Sequence, residues 1–222
     1  MEPFRVAAPL QLLVEPYLAP ATIIDAAKNG GEQARHALAC LWLSEGIPCA
    51  FRDCPAIYES MRSWLANYLS VHPKEISITG SARLGASLSP AQLGKPFDSD
   101  SDLDVFVVSR QLFEIVKNQF CEWSLDFESG RVKPNNAREE GFWKDNNYRG
   151  HKLIQRGFID QKMIPNLDAY PQIQRISDSM WALVEKLKIT ERAPRPTHAS
   201  LRCYSSWEAF VRQTALNLVR SE

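Results

Sequence analysis

The chain has 222 residues, 45% of them hydrophobic, which is enough for a substantial core in one domain, with or without a helical extension. Its 26 basic and 26 acidic residues cancel, so no overall electrostatic field attracts the protein to a polynucleotide or to an anionic membrane. Strong nucleic-acid binding is therefore not expected, and any functional positive charge has to be local.

The cysteines and the hydrophobic segments bear on the cellular compartment. Five cysteines occur without Cys-x-x-Cys spacing, which favours reduced thiols and argues against a zinc site. Near the amino terminus, Pro9, Glu15 and Pro16 interrupt the apolar residues that a secretory signal needs. The sequence also has no apolar run of about 18 residues, the length of a transmembrane helix. We therefore expect a cytoplasmic protein without a membrane partner.

Helical patterns occupy the first third of the chain. Residues 21–28 and 32–44 are predicted to be helices separated by an Asn-Gly-Gly turn. A stronger helix should begin at Pro55, because apolar residues then recur at three- and four-residue steps. Residues 1–72 are predicted to form an N-terminal helical extension, and residues 73–222 a core that joins it in one compact unit.

A Gly-Ser turn follows the first predicted strand. Residues 76–79, Ile-Ser-Ile-Thr, should form that strand, and Gly80 and Ser81 end it before a possible short helix. Glycine lets the backbone approach a phosphate closely, and backbone amides at the start of a helix favour an anion. Ser81 adds a hydroxyl donor. The turn is a candidate phosphate site, although Gly-Ser after a strand is also common where nothing binds.

Two aspartates flank one leucine at the start of the next predicted strand. Because side chains alternate along a strand, Asp102 and Asp104 should share one face, with Cα atoms roughly 6.5 Å apart. Their hard oxygens would select Mg²⁺ or Mn²⁺. A solvated acidic loop is the alternative and accounts well for Asp98 and Asp100. A calcium loop is excluded, because the sixth and twelfth positions counted from Asp98 are leucine and serine.

The combination of Gly80, Ser81, Asp102 and Asp104 resembles the signature of the nucleotidyltransferase superfamily that includes DNA polymerase beta. The resemblance covers residues 76–108. It implies an α+β, polymerase-beta-type fold, with a small mixed sheet flanked by helices, an NTP substrate and bound Mg²⁺ or Mn²⁺. The long Pro- and Gly-containing loop before Asp102 is similar to those of bacterial cyclic-oligonucleotide synthases and related small transferases, which implies bacterial signalling or antiviral defence.

The resemblance also implies a third carboxylate on a later strand, as a metal ligand or as the base for the attacking hydroxyl. The best candidate is Asp160, at the end of a strand-compatible segment that begins at Lys152. An ordinary aspartate at a strand end is the alternative for Asp160. Asp168 is the second candidate, but it lies between two prolines, where a turn role is favoured.

Basic residues close to these motifs could neutralise a triphosphate. Arg83 and Lys95 are near the Gly-Ser turn and in the loop before Asp102, and Lys152 belongs to a cluster ahead of Asp160. Together with Gly80 and Ser81, we expect Arg83 and Lys152 to bind phosphate. A solvated charged surface is the competing interpretation for each of these residues.

The rest of the chain alternates helical and extended patterns. An amphipathic helix should follow a cap near Ser109, and another should span residues 171–187. Residues 200–204 are a predicted strand before a final helix. The polar residues 128–147 are interpreted as a mobile loop or a short helix.

These patterns predict a metal-dependent nucleotidyltransferase that moves an NMP from an NTP to a hydroxyl acceptor and releases pyrophosphate. Asp102, Asp104 and Asp160 would be its catalytic and metal-binding residues. The acceptor is left open, with another nucleotide or a protein favoured. The competing hypotheses are an inactive module of the same fold that binds nucleotide or a partner protein, as an antitoxin or a sensor would, and a metal-dependent phosphohydrolase.

Overall fold

The computed structural model describes residues 5–220 and, within them, folds the chain into a small sheet flanked by helices. The strands are β1 (Ile76–Thr79), β2 (Leu103–Val108), β3 (Phe158–Asp160) and β4 (Ala199–Tyr204). The helices are α1 (Pro20–Cys40), α2 (Pro55–Leu69), α3 (Gly80–Leu84), α4 (Arg110–Glu128), α5 (Ala137–Gln155), α6 (Pro171–Ile189) and α7 (Trp207–Arg220). Short 3-10 helices occur at Ala8–Leu10, Cys49–Phe51, Pro73–Glu75, Pro90–Gln92 and Gln161–Met163. Over residues 5–220, none of the helices combines the length and the hydrophobicity needed to cross a lipid bilayer.

The sheet has the strand order β1-β2-β4-β3 and is mixed. β2 and β4 run parallel in the centre, and each has an antiparallel strand on its outer side. In this register Asp104 lies opposite Thr79 on β1 and opposite Ser200 on β4. Asp160 on β3 lies opposite Arg202. The predicted α+β class, with a small mixed sheet flanked by helices, is confirmed.

Alternate residues of the strands form two different faces of the sheet. The apolar face packs against α2, α4 and α6 and consists of Ile76, Ile78, Leu103, Val105, Val107, Ile159, Leu201 and Cys203. The mixed face has a polar end, formed by Thr79, Asp104, Asp160, Ser200 and Arg202, and an apolar end, formed by Phe106, Val108, Phe158 and Tyr204. Phe210 and Val211 of α7 cover that apolar end.

The amino-terminal helices pack on both faces of the sheet. The predicted break in the first helix is present as a kink, because Gly31 has φ = 61° while the helix continues to Cys40. Ala39 of α1 packs in the same cluster as Phe210. Met61 of α2 is buried in the core beneath the apolar face. The amino-terminal part of the chain therefore shares its cores with the sheet and with α7.

The structure corrects the prediction for residues 128–160. Of the segment interpreted as a mobile loop or a short helix, residues 137–147 belong to the 19-residue helix α5, whose N-cap Asn136 accepts a hydrogen bond from the backbone N–H of Glu139. Residues 152–155, predicted to be extended, are the last turn of this helix. Only Trp143 and Gly150 of α5 are buried, so few apolar residues mark the buried face of this helix in the sequence.

Candidate functional site

The Gly-Ser turn lies directly beside the carboxylate of Asp104. β1 ends at Thr79, directly opposite Asp104, and Gly80 then adopts φ = +69° to begin the five-residue helix α3. A Cβ atom on residue 80 would lie 2.7 Å from Oδ2 of Asp104. Both the backbone conformation and this close approach require glycine. The turn and the aspartate strand are therefore one structural unit.

A cavity of about 400 Å³, here called the loop cavity, opens beside this unit. It is lined by Gly80, Ser81, Lys95, Asp102 and Asp104, together with other residues of the 87–101 loop. That loop is ordered by backbone hydrogen bonds, including Ser87 N to Lys95 O at 2.9 Å and Phe97 N to Gly85 O at 2.9 Å. The long insertion before Asp102 thus forms a wall of the cavity and carries Lys95 into it.

The two motif aspartates have different surroundings within the loop cavity. Asp102 precedes β2 and is exposed, and its Oδ1 lies 3.4 Å from Nδ1 of His198. Asp104 is mostly buried, and its Oδ1 accepts a hydrogen bond of 3.0 Å from the Ser200 hydroxyl. Burial raises the pKa of Asp104, while the Ser200 hydrogen bond and the nearby Arg202 oppose that rise. Asp102 is thus open to a solvated cation, whereas Asp104 is held in place by the sheet.

The structure does not assemble the expected set of three carboxylates. Asp160 is separated from Asp104 by β4, and two strand spacings amount to about 10 Å. Its Oδ2 accepts a hydrogen bond of 3.2 Å from Nη2 of Arg202, and its Oδ1 accepts one of 3.0 Å from the Lys162 backbone N–H. Across residues 5–220, no group of three or more His, Cys, Asp or Glu side chains is placed to hold a metal ion.

The second candidate for the third carboxylate is farther from the motif. Asp168 precedes α6 and is exposed, and its Oδ1 accepts a hydrogen bond of 2.9 Å from the Gln174 side chain. It lines neither the loop cavity nor the sheet cavity described below. This contact fits the turn role that the flanking prolines favoured.

Two of the expected phosphate-binding residues are engaged elsewhere. The guanidinium of Arg83 is buried and donates to the carbonyl oxygens of Trp42 at 2.9 Å and Ile47 at 2.7 Å, which fastens the segment after α1 to α3. Lys152 is exposed on α5, with Nζ 2.8 Å from the Tyr148 hydroxyl. Neither side chain lines the loop cavity, whereas Lys95 does.

A second cavity of about 400 Å³, here called the sheet cavity, lies on the mixed face. Its polar wall contains Asp104, Asp160, Ser200 and Arg202, and its opposite wall is α7. The α7 residues that line it are Phe210, Thr214, Asn217 and Leu218. Gly80, Leu88, Ser89 and Asp104 line both cavities, so Asp104 lies at their common boundary.

Ser200 and Arg202 were not identified as site residues from the sequence. The strand that carries them was predicted, and its polar residues alternate with Leu201 and Cys203, which is a usable signal for one polar face. The missing information was the partner strand. Ser200 contacts Asp104 across a separation of 96 residues, and no local motif encodes that pairing.

Comparison of the chain with protein-family models, with curated proteins and with solved structures gave no match. The resemblance to the nucleotidyltransferase superfamily therefore stays a prediction. The side chains around the two cavities are therefore the basis for inferring a function.

Proposed function

We propose that the protein transfers a nucleotidyl group from an NTP to a hydroxyl acceptor, with a divalent cation bound in the loop cavity. One observation carries this proposal: Gly80, Ser81, Asp102 and Asp104, which come from two separate segments, line a single cavity. Lys95 on the same wall supplies a positive charge for phosphate oxygens. A polymerase-beta-type fold is part of the same proposal.

The donor set suits Mg²⁺ or Mn²⁺. Carboxylate oxygens are hard ligands, and Mg²⁺ is commonly held by one or two carboxylates together with substrate phosphates. Asp102 and Asp104 would hold the cation, and the triphosphate would complete its coordination. When bound, the cation would neutralise phosphate charge and make the α-phosphorus more electrophilic. Two protein carboxylates are sufficient for that arrangement, so it does not depend on Asp160.

The proposed reaction forms one bond and breaks one. The acceptor oxygen attacks the α-phosphorus, the bond from the α-phosphorus to the bridging oxygen breaks, and pyrophosphate leaves. The hydroxyl proton is released to solvent. Ser81 and Lys95 would orient the phosphates, which lowers the entropic part of the barrier. Asp160, paired with Arg202 on the wall of the sheet cavity, would act on the acceptor side.

The test measures NTP binding and pyrophosphate release for each common NTP with Mg²⁺ or Mn²⁺. We expect Asp102→Ala and Asp104→Ala to abolish metal-dependent binding and turnover. Lys95→Ala should weaken NTP binding about tenfold, equivalent to about 1.4 kcal/mol. Lys152→Ala is the matched control, because this lysine lies outside both cavities. Equal NTP binding by the wild type and both aspartate variants would refute the proposal.

A second function is nucleotide binding without turnover, in a sensor or an antitoxin. It is favoured by the hydrogen bond of 3.2 Å from Arg202 to Asp160, which engages the carboxylate expected as the third metal ligand. Metal-dependent NTP binding without product formation would support this function. Release of inorganic phosphate would instead indicate a phosphohydrolase.

A role in bacterial signalling or antiviral defence is a further proposal that only the family resemblance supports.

A further inference from the structure

The position of the sheet cavity makes it the natural place for the acceptor. Asp104 lines both cavities, so a molecule in the sheet cavity and phosphates in the loop cavity would lie on either side of this carboxylate. The long wall of the sheet cavity is α7, which packs against the apolar end of the mixed face through Phe210. The shape and chemistry of this cavity therefore restrict the acceptor.

The volume of the sheet cavity favours a small molecule. At about 400 Å³ it lies within the usual range of small-molecule sites, roughly 300–1,000 Å³. α7 on one side and Leu43 on the other limit the space above the strands. This volume suits one ring system with a few substituents.

The charges lining the cavity disfavour an anionic ligand. Two carboxylates, Asp104 and Asp160, face one guanidinium, Arg202, which is already hydrogen-bonded to Asp160. Although the buried Nε of Arg202 has no hydrogen-bond partner, the two carboxylates outnumber this one guanidinium among the described lining residues, so a phosphate or carboxylate would enter a cavity of net negative charge.

The remaining lining suits an uncharged molecule with both apolar and hydroxyl-bearing parts. Apolar side chains come from Leu84, Phe210 and Leu218, and neutral polar groups come from Thr79, Ser200, Tyr204, Thr214 and Asn217. Sites of this composition orient a ligand through a few polar contacts and bind it through apolar burial.

We propose that the sheet cavity binds an uncharged, hydroxyl-bearing ring compound of nucleoside size, and that this compound is the acceptor. Its role as acceptor rests on the proposed nucleotidyl transfer, whereas its binding does not. The proposal narrows the acceptor from the wider set of nucleotides and proteins that the sequence left open. It excludes nucleotide acceptors that carry a phosphate in this cavity.

The experiment measures binding of adenosine, guanosine, cytidine and uridine by calorimetry, with their 5′-monophosphates as charged counterparts. At least one nucleoside should bind, and its monophosphate should bind about tenfold more weakly or less. Thr214→Trp, which fills the cavity from α7, should weaken nucleoside binding about tenfold or more. Leu216→Trp is the control, because this residue is 47% exposed on α7 and does not line the cavity. Melting curves verify that both variants fold.

Three results would overturn the proposal: no nucleoside binds, a monophosphate binds as tightly as its nucleoside, or Thr214→Trp binds nucleosides as the wild type does. A nonhydrolysable NTP with Mg²⁺ should leave nucleoside binding intact, and competition would overturn the acceptor assignment. If nucleosides bind but no NTP does, the proposed nucleotidyl transfer is refuted, and the proposal that the sheet cavity binds a nucleoside stands. Pyrophosphate release with only a protein or polynucleotide acceptor would overturn this inference and leave the transfer function standing.

Discussion

The two faces of the sheet use the same strands for different purposes. On the apolar face, the central residues of β2 and β4 are fully packed beneath α2, α4 and α6. On the mixed face, the intervening residues Asp104, Ser200 and Arg202 line the sheet cavity, and Asp104 also lines the loop cavity. Neighbouring positions of one strand can therefore contribute stability and chemistry separately. Substitutions at such neighbours should have opposite effects.

The largest effect is expected on the apolar face, at Leu103. This side chain is fully buried beside Asp104 in sequence, and Leu103→Ala should lower the free energy of unfolding by about 2–5 kcal/mol through lost burial and a residual cavity. Urea denaturation measures the change. Leu125→Ala, at a side chain that is 60% exposed on α4, is the control and should change stability by less than about 0.5 kcal/mol. Similar losses for both variants would contradict the packing described.

Two glycines of α5 test the helix that the sequence did not reveal. A Cβ on Gly150 would lie 2.2 Å from Cζ of Phe120, so Gly150→Ala should destabilise the protein by about 1–3 kcal/mol through overpacking. A Cβ on Gly141 meets no heavy atom within 4 Å, and Gly141→Ala should stabilise the helix by about 0.5–1 kcal/mol. If residues 137–155 were instead a mobile loop, neither substitution would change the melting temperature appreciably.

Gly80 connects the mixed face to the backbone turn. Gly80→Ala would place a Cβ atom on a left-handed backbone and only 2.7 Å from Oδ2 of Asp104. This substitution should lower the free energy of unfolding by about 2 kcal/mol and disrupt metal-dependent NTP binding. Gly130→Ala is the matched control: it has φ = +74° and no heavy atom within 4 Å, so it should cost about 1 kcal/mol. Chemical denaturation and calorimetry measure the two effects. Unchanged NTP binding by Gly80→Ala would show that the turn does not position Asp104.

A small effect, opposite in sign to that of Leu103→Ala, is expected at Asp104. The pKa of Asp104 is raised in the folded protein relative to the unfolded chain. The contribution of Asp104 to the free energy of unfolding therefore falls as the pH rises from its pKa in the unfolded chain through its pKa in the folded protein. Asp104→Asn should remove this loss and stabilise the protein by about 1 kcal/mol at pH 7, with no gain at pH 3. Unfolding free energies at both pH values test the difference.

The exposed neighbour Asp102 is the control for that measurement. Asp102→Asn should change the free energy of unfolding by less than about 0.5 kcal/mol at pH 7. A stabilisation by Asp104→Asn that is equal at pH 3 and pH 7 would mean that burial of the charge is not its cause.

Features that depend on local pattern could be predicted from the amino-acid sequence. The alternation of residues around Leu103 predicted that Asp102 and Asp104 share a face, and both do line the loop cavity. The three- and four-residue spacing of apolar side chains predicted α2, α4 and α6, because a helix that buries one face needs such a stripe. α5 was missed, since it buries little beyond Trp143 and Gly150.

The surroundings of Asp104 could not be predicted in this way, because they depend on contacts between distant segments. The parallel pairing of β2 with β4 brings Ser200 to Asp104 across 96 residues, and the antiparallel pairing of β4 with β3 sets Arg202 opposite Asp160. The packing of α3 against the segment after α1 likewise engages Arg83 with the carbonyl oxygens of Trp42 and Ile47 rather than in the loop cavity. Such contacts depend on which strands become neighbours, and that choice is made by burial of the whole apolar face rather than by any short motif.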